Sequence, residues 1–181
     1  MKSKLTILFI PCCMFFIALG ATQAAHHESE ESGIKDEELE TIYVEYRENL
    51  VEIRAPRYNG LFNELDRYHY FKRNFEKAFE NEEWPVRFEY GRFPIKVPDG
   101  ATVLEVTFLS LKSHNRIELE LRIWSKLNDG SDKNDFGIQL ARHVPSPIYS
   151  SSSIDRDLDT IYSKAADRVV QKMNGSLFKK E

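Results

Sequence analysis

Both cysteines of this 181-residue chain, Cys12 and Cys13, sit inside an apolar run from Leu5 to Leu19 that follows Lys2 and Lys4. A short positive segment, an apolar stretch and the small residues from Gly20 to Ala25 are the three parts of a secretory signal peptide. Thr22 and Ala24 occupy the −3 and −1 positions of a cut before Ala25, and Ala18-Leu19-Gly20 offers an earlier one. A helix needs ~20 apolar residues to cross a bilayer. This run is shorter and carries Pro11, so residues 1–24 read as a cleaved export signal and not as an anchor. The cysteines lie mid-run, not behind a small-residue box, and read as apolar filler instead of lipidation sites. Removing the signal leaves a chain without a single cysteine, held together by packing and polar pairing alone. Residues 25–181 are numerous enough to bury a core that needs no disulfide.

The same cut makes the chain more acidic. Losing Lys2 and Lys4 takes lysine plus arginine from 25 to 23 against 29 acidic residues, a formal net charge of −6. That balance argues against nucleic acid, whose phosphates ask for a basic face, and against polybasic attraction to anionic lipid. The expected setting is the periplasm or the extracellular medium, with no membrane attachment after cleavage.

Residues 25–35 are polar and charged and read as a flexible acidic leader; one domain is expected over 36–181. From Leu39 to Ile53 apolar residues recur at steps of three and four, which favours a helix. The β-branched and aromatic run Ile42-Tyr43-Val44 keeps a strand open for residues 42–53. Leu61 to Glu83 carries one helical stripe through Leu65, Tyr68, Phe71, Phe75, Ala78 and Phe79. Four strands should follow, near 86–91, 103–111, 117–126 and 136–140, by their alternating patterns. A two-residue turn at His114-Asn115 would pair Phe108 with Leu121 and Val106 with Ile123, with Ile117 inward and Glu118, Glu120 and Arg122 outward. That register sends Val103, Leu109, Leu111 and Trp124 to the second face, a candidate contact surface. Ser152 or Ser153 should cap a final helix with Asp155 and Asp157 in its first turn, ending at Asn174-Gly175. The expected fold is α+β: a four-stranded antiparallel sheet with one or two N-terminal helices and a C-terminal helix packed on it. In architecture this order resembles the small helix-on-sheet accessory domains of bacterial envelope proteins, though no motif carries the likeness.

Chemistry-bearing motifs are sparse. Asp155, Asp157 and Asp159 alternate like calcium ligands, but Thr160 and Ala166 stand where such a loop needs glycine and a bidentate acid. The oxygen-rich run 128–135 suits a hairpin loop. His69, His114 and His143 are scattered, and no glycine-flanked serine or surviving cysteine offers a nucleophile. Glu118 and Glu120 share a strand face as a carboxylate pair can, which is the basis of a hydrolase reading. Asn174-Gly175-Ser176 fits a glycosylation acceptor. The sharpest motif depends on the cut: a chain beginning Ala25-His26-His27 offers an α-amine, two amides and an imidazole, a square-planar set for copper(II) or nickel(II). The leading reading is an exported binding or structural accessory protein that meets another envelope or secreted protein without catalysis. The alternatives are metal handling at the new N-terminus and carboxylate-based hydrolysis.

Overall fold

The computed structural model describes residues 39–58, 63–114, 117–129, 134–148 and 150–176, with the backbone alone for 49–51. The signal segment, the leader and Ala25-His26-His27 lie outside them. The elements are β1 (Glu40–Arg54), α1 (Glu64–Glu80), β2 (Val86–Arg92), β3 (Thr102–His114), β4 (Glu118–Asn128), β5 (Asp135–His143) and α2 (Ser151–Ser176). The described strands form one sheet in the order β2-β1-β3-β4-β5. β1 runs parallel to both its neighbours, while β3, β4 and β5 form an antiparallel meander. The α+β class is as expected; the four-stranded antiparallel sheet is not, because the segment left open between helix and strand is a fifth, parallel-paired strand.

That strand is β1. Ile42, Val44 and Tyr46 are buried on the helix side, and Tyr43, Glu45 and Arg47 point to the other face by alternation. A central strand covered on both sides carries apolar residues on both, so its spacing imitates a helix. Tyr46 meets Phe71 of α1 at 4.9 Å between ring centroids, and Phe108 of β3 meets Tyr162 of α2 at 6.2 Å. Both helices therefore lie on one face of the sheet, and the core is the layer between.

The hairpin register differs as well. Phe108 faces Ile123 and Val106 faces Ser125, and the ladder shifts between Phe108 and Ser110. The extra residue, Leu109, is a bulge, and beyond it Leu111 turns into the core opposite Leu121. Ile117, expected inward, is exposed, since the link back from β3 is longer than two residues. In β5 a second shift, beside Gly137 with φ 69°, breaks the alternation that marks this strand. Phe136 stays buried, Ile138 moves outside, and Gln139 and Ala141 take the inner positions.

Asn63 caps α1 in a reciprocal box with Asp66, so the helix starts after Leu61 and leaves Leu65 exposed. Ser150, two residues before the expected position, caps α2, its hydroxyl accepting from Ser153 N at 3.2 Å. The aspartates of α2 do other work. Asp155 accepts from Tyr70, Asp159 from Arg73 and from Asn74 at 3.1 Å, and Asp157 is buried. At the far end Trp84 Nε1 donates to Asn174 Oδ1 at 2.9 Å, and Asn174 Nδ2 donates to Glu82 at 2.8 Å. The amide of the acceptor sequence is thus engaged in tying the helices. These ties, ascending together along both chains, make α1 and α2 parallel.

Candidate functional site

The sheet face away from the helices carries the sequence-derived contact residues. Over its β1–β2 side runs the loop after β2. Phe93 N donates to Tyr46 O at 2.8 Å, Ile95 N donates to Glu45 Oε2 at 3.0 Å, and the Arg47 guanidinium lies 4.5 Å from the Phe93 ring centroid. The loop buries Glu45, whose other oxygen accepts from Arg47 Nε at 2.5 Å; Arg47 then reaches Glu105 at 3.2 Å. Neither Glu45 nor this overlying loop was foreseen, because nothing in local spacing says which way a proline-bounded loop folds back.

The β3–β5 side of the same face has no described element packed over it. Trp124 stands opposite Ile138 on β5 and Thr107 on β3. Ile138 is 64 % exposed, while Val103, Leu109 and Trp124 are half-buried. Leu111 leaves the predicted set, since the bulge turns it into the core. An apolar centre of Trp124 and Ile138 remains, ringed by Glu105, Lys126, Arg122 and Arg142.

Beside it, Glu120 is 2 % exposed. Arg122 Nε donates to its Oε1 at 2.8 Å, and Arg142 and His114 approach its Oε2 at 3.4 and 3.7 Å. Burial pushes its pKa up, but the Arg122 hydrogen bond and the surrounding cations outweigh burial and hold it below the usual carboxylate range. Arg142 also faces Glu118 at 3.8 Å. The predicted carboxylate pair is therefore part of an ion-pair network in which three cationic side chains surround Glu120.

His143 Nε2 lies 2.9 Å from Asp157 Oδ1, and Asp157 accepts from Ser146 N at 3.0 Å and from Tyr58 OH at 3.3 Å. This buried carboxylate ties the end of β5 and the β5–α2 connection to the helix, a structural use of the closer of two histidine–acid pairs among the described residues. His69 is exposed on α1, in a shallow hollow of about 340 Å³ with Tyr70, Arg73 and Asp155. Among the described residues no group of three or more histidine, cysteine or acidic side chains is arranged to hold a metal. No described helix is long and apolar enough to cross a membrane.

No protein-family model and no curated protein matches this sequence. Solved structures do align with it. A hypothetical protein from Chlamydia trachomatis is 11% identical over 75% of this chain and 96% of its own, with a TM-score of 0.46. A putative lipoprotein from Caulobacter crescentus is 10% identical over 72% and 92%, with a TM-score of 0.40. A minor lipoprotein from Acinetobacter baumannii is 11% identical over 76% and 94%, at 0.36. At these scores the likeness extends no further than a general α+β plan.

Proposed function

We propose that this is an exported accessory protein that works by contact with another exported protein and not by chemistry. Export rests on residues 1–24, and the contact on the open half of the outer sheet face. The observation that carries it is the pairing of half-buried Trp124 with exposed Ile138 in a ring of mixed charge. A large aromatic beside an aliphatic anchor, with a charged rim, is the composition of a protein contact and not of a solvated sheet face. The partner it fits is a polypeptide presenting an apolar side chain between charges of both signs. The buried carboxylates on the two sides of the sheet, Glu120 on the outer face and Asp157 on the helix side, are occupied in holding structure, which supports a non-catalytic reading.

The test is cross-linking in the native envelope or secreted fraction, followed by mass spectrometry, with the wild type and the W124S/I138S variant. The reading expects a cross-linked partner with wild type that is lost with the variant while the variant remains folded. Retention of every partner by a folded variant would overturn it.

A further inference from the structure

Among the described residues, the two strand edges that no strand pairs with carry opposite charge. Along the β5 edge, a groove of about 850 Å³ between the strand and α2 is lined by Lys164, Arg168 and Lys172 against Asp167, a net of two positive charges, with Arg142 beside them held by Glu118 and Glu120. Along the β2 edge, a groove of about 510 Å³ beside α1 is lined by Glu76, Glu80, Glu83 and Glu89 against Arg87, a net of three negative charges. Among the described residues Arg168 and Lys172 have no ion-pair partner, and neither do Glu80, Glu83 and Glu89. Lys164, Arg168 and Lys172 are four residues apart and so form one stripe on α2, and Glu76 and Glu80 form one on α1.

From this we infer that the partner of each edge is the opposite edge of a second copy of this chain, which pairs β5 with β2 in a head-to-tail assembly. Three features of the fold fit that occupant. First, β5 and β2 point the same way, since β5 is antiparallel to β4, β4 to β3, and β3, β1 and β2 are mutually parallel. Copies related by a rotation about an axis along the strands therefore bring the two edges together as a parallel pair, with the helices on one side throughout.

Second, the charged stripes stand at matching heights. Tyr70 is level with Asp155, and Arg73 with Asp159, across the parallel helices. Helices rise alike, at ~1.5 Å per residue, so Glu76 and Glu80 fall within about a turn of Lys164 and Arg168. Third, charge excludes the symmetric alternatives. A two-fold contact of β5 with β5 sets Lys164, Arg168 and Lys172 against themselves, and β2 with β2 does the same to the glutamates, so both are repulsive. A contact between different patches propagates, and it closes into a ring when the rotation between copies allows. The assembly covers two strand edges that would otherwise be left as templates for unspecific pairing. It shares Ile138, which lines the β5 groove, with the contact reading, but the variants R168E/K172E and E80K/E83K leave Trp124 and Ile138 untouched, so a failure of the assembly is told apart from a failure of the contact.

Sedimentation velocity of the full exported chain tests it at low salt and at about 1 M salt, where charge is screened beyond ~3 Å. The wild type should sediment as an oligomer at low salt and shift toward monomer at high salt. The variants R168E/K172E and E80K/E83K, all at exposed positions, should each be monomeric. Mixed in equal amounts they should assemble again, because each then offers its altered edge a partner of opposite sign. A wild type that is monomeric at low salt overturns the inference, as does an oligomer that survives either reversal. Thiol cross-linking gives a second readout: I138C and E89C should each fail to cross-link alone and succeed when mixed. A cross-link from I138C alone would mean a two-fold contact and would also overturn it.

Discussion

Glu120 shows how one buried charge is made tolerable and what it then contributes. An ion buried in low dielectric is costly unless its lone pairs are filled, and here Arg122, Arg142 and His114 surround it. Its pKa is lowered in the folded chain from an ordinary value of 4.5. Its stabilising contribution is thus complete above that value and is lost as pH falls through the lower, folded one. Glu120→Gln removes the charge but keeps the shape, and should cost ~1–3 kcal/mol at neutral pH. Its unfolding free energy, followed by denaturant titration from neutral pH to pH ~3, should fall less steeply on acidification than that of the wild type. Equal slopes would mean that Glu120 is not held ionised. Asp157 is the comparable case on the helix side, accepting from Ser146 N, Tyr58 and the His143 ring. Asp157→Ala strands those donors and should cost on the order of 3 kcal/mol, measured by the same titration. A loss within 0.5 kcal/mol, the range ordinary surface changes produce, would remove its role as the anchor of the β5–α2 connection.

Between elements, the least obvious contact is the loop that folds from β2 back over β1. A Cβ on Gly91 would lie 2.7 Å from Ile95 Cδ1 and 2.8 Å from its Cγ1, so the loop lies flat only because that position is glycine. Gly91→Val should lift the loop, wet Glu45 and cost ~1–3 kcal/mol. The Ile95 amide, which donates to Glu45, should then exchange with solvent markedly faster, and unchanged protection would show that Ile95 simply rotates aside. A loop of this kind cannot be read from local spacing, and the same limit applies to other elements. α1, β2, β4 and α2 were legible because each buries one face only, so the period of the pattern survives. β1 stays undecided between helix and strand in the sequence because it is covered on both faces. Leu111 was placed on the wrong side by the bulge at Leu109, since one extra residue inverts every later assignment in a strand. The stripe Lys164-Arg168-Lys172 was visible at four-residue spacing but meant nothing until the fold set it beside a free strand edge. Trp124 was found because it interrupts a charged face, a signal that survives a shift of register by two.

For the molecule as a whole, the sheet combines local and distant pairings, and this ranks the order in which it assembles. β3, β4 and β5 follow one another and pair across short links, His114 with Glu118 and Lys126 with Asp135. β1 instead pairs with β3 from Ile42 to Thr102, sixty residues on, and with β2 across α1. Closing long loops costs entropy before any contact repays it. The meander should therefore form first and β1 should be inserted between β2 and β3 late, although it is the most enclosed strand in the finished sheet. Leu121 and Ile42, both buried, report on the two events. Truncating either to alanine should cost ~2–5 kcal/mol at equilibrium, but the cost should divide differently between the rates. Leu121→Ala should slow folding, with a φ-value of about 0.5 or more, whereas Ile42→Ala should mainly speed unfolding, with φ near ~0–0.3. Stopped-flow chevrons of the two variants decide it. A φ-value at Ile42 equal to or above that at Leu121 would place β1 in the nucleus and reverse the order, since the central strand would then be the template onto which the meander closes.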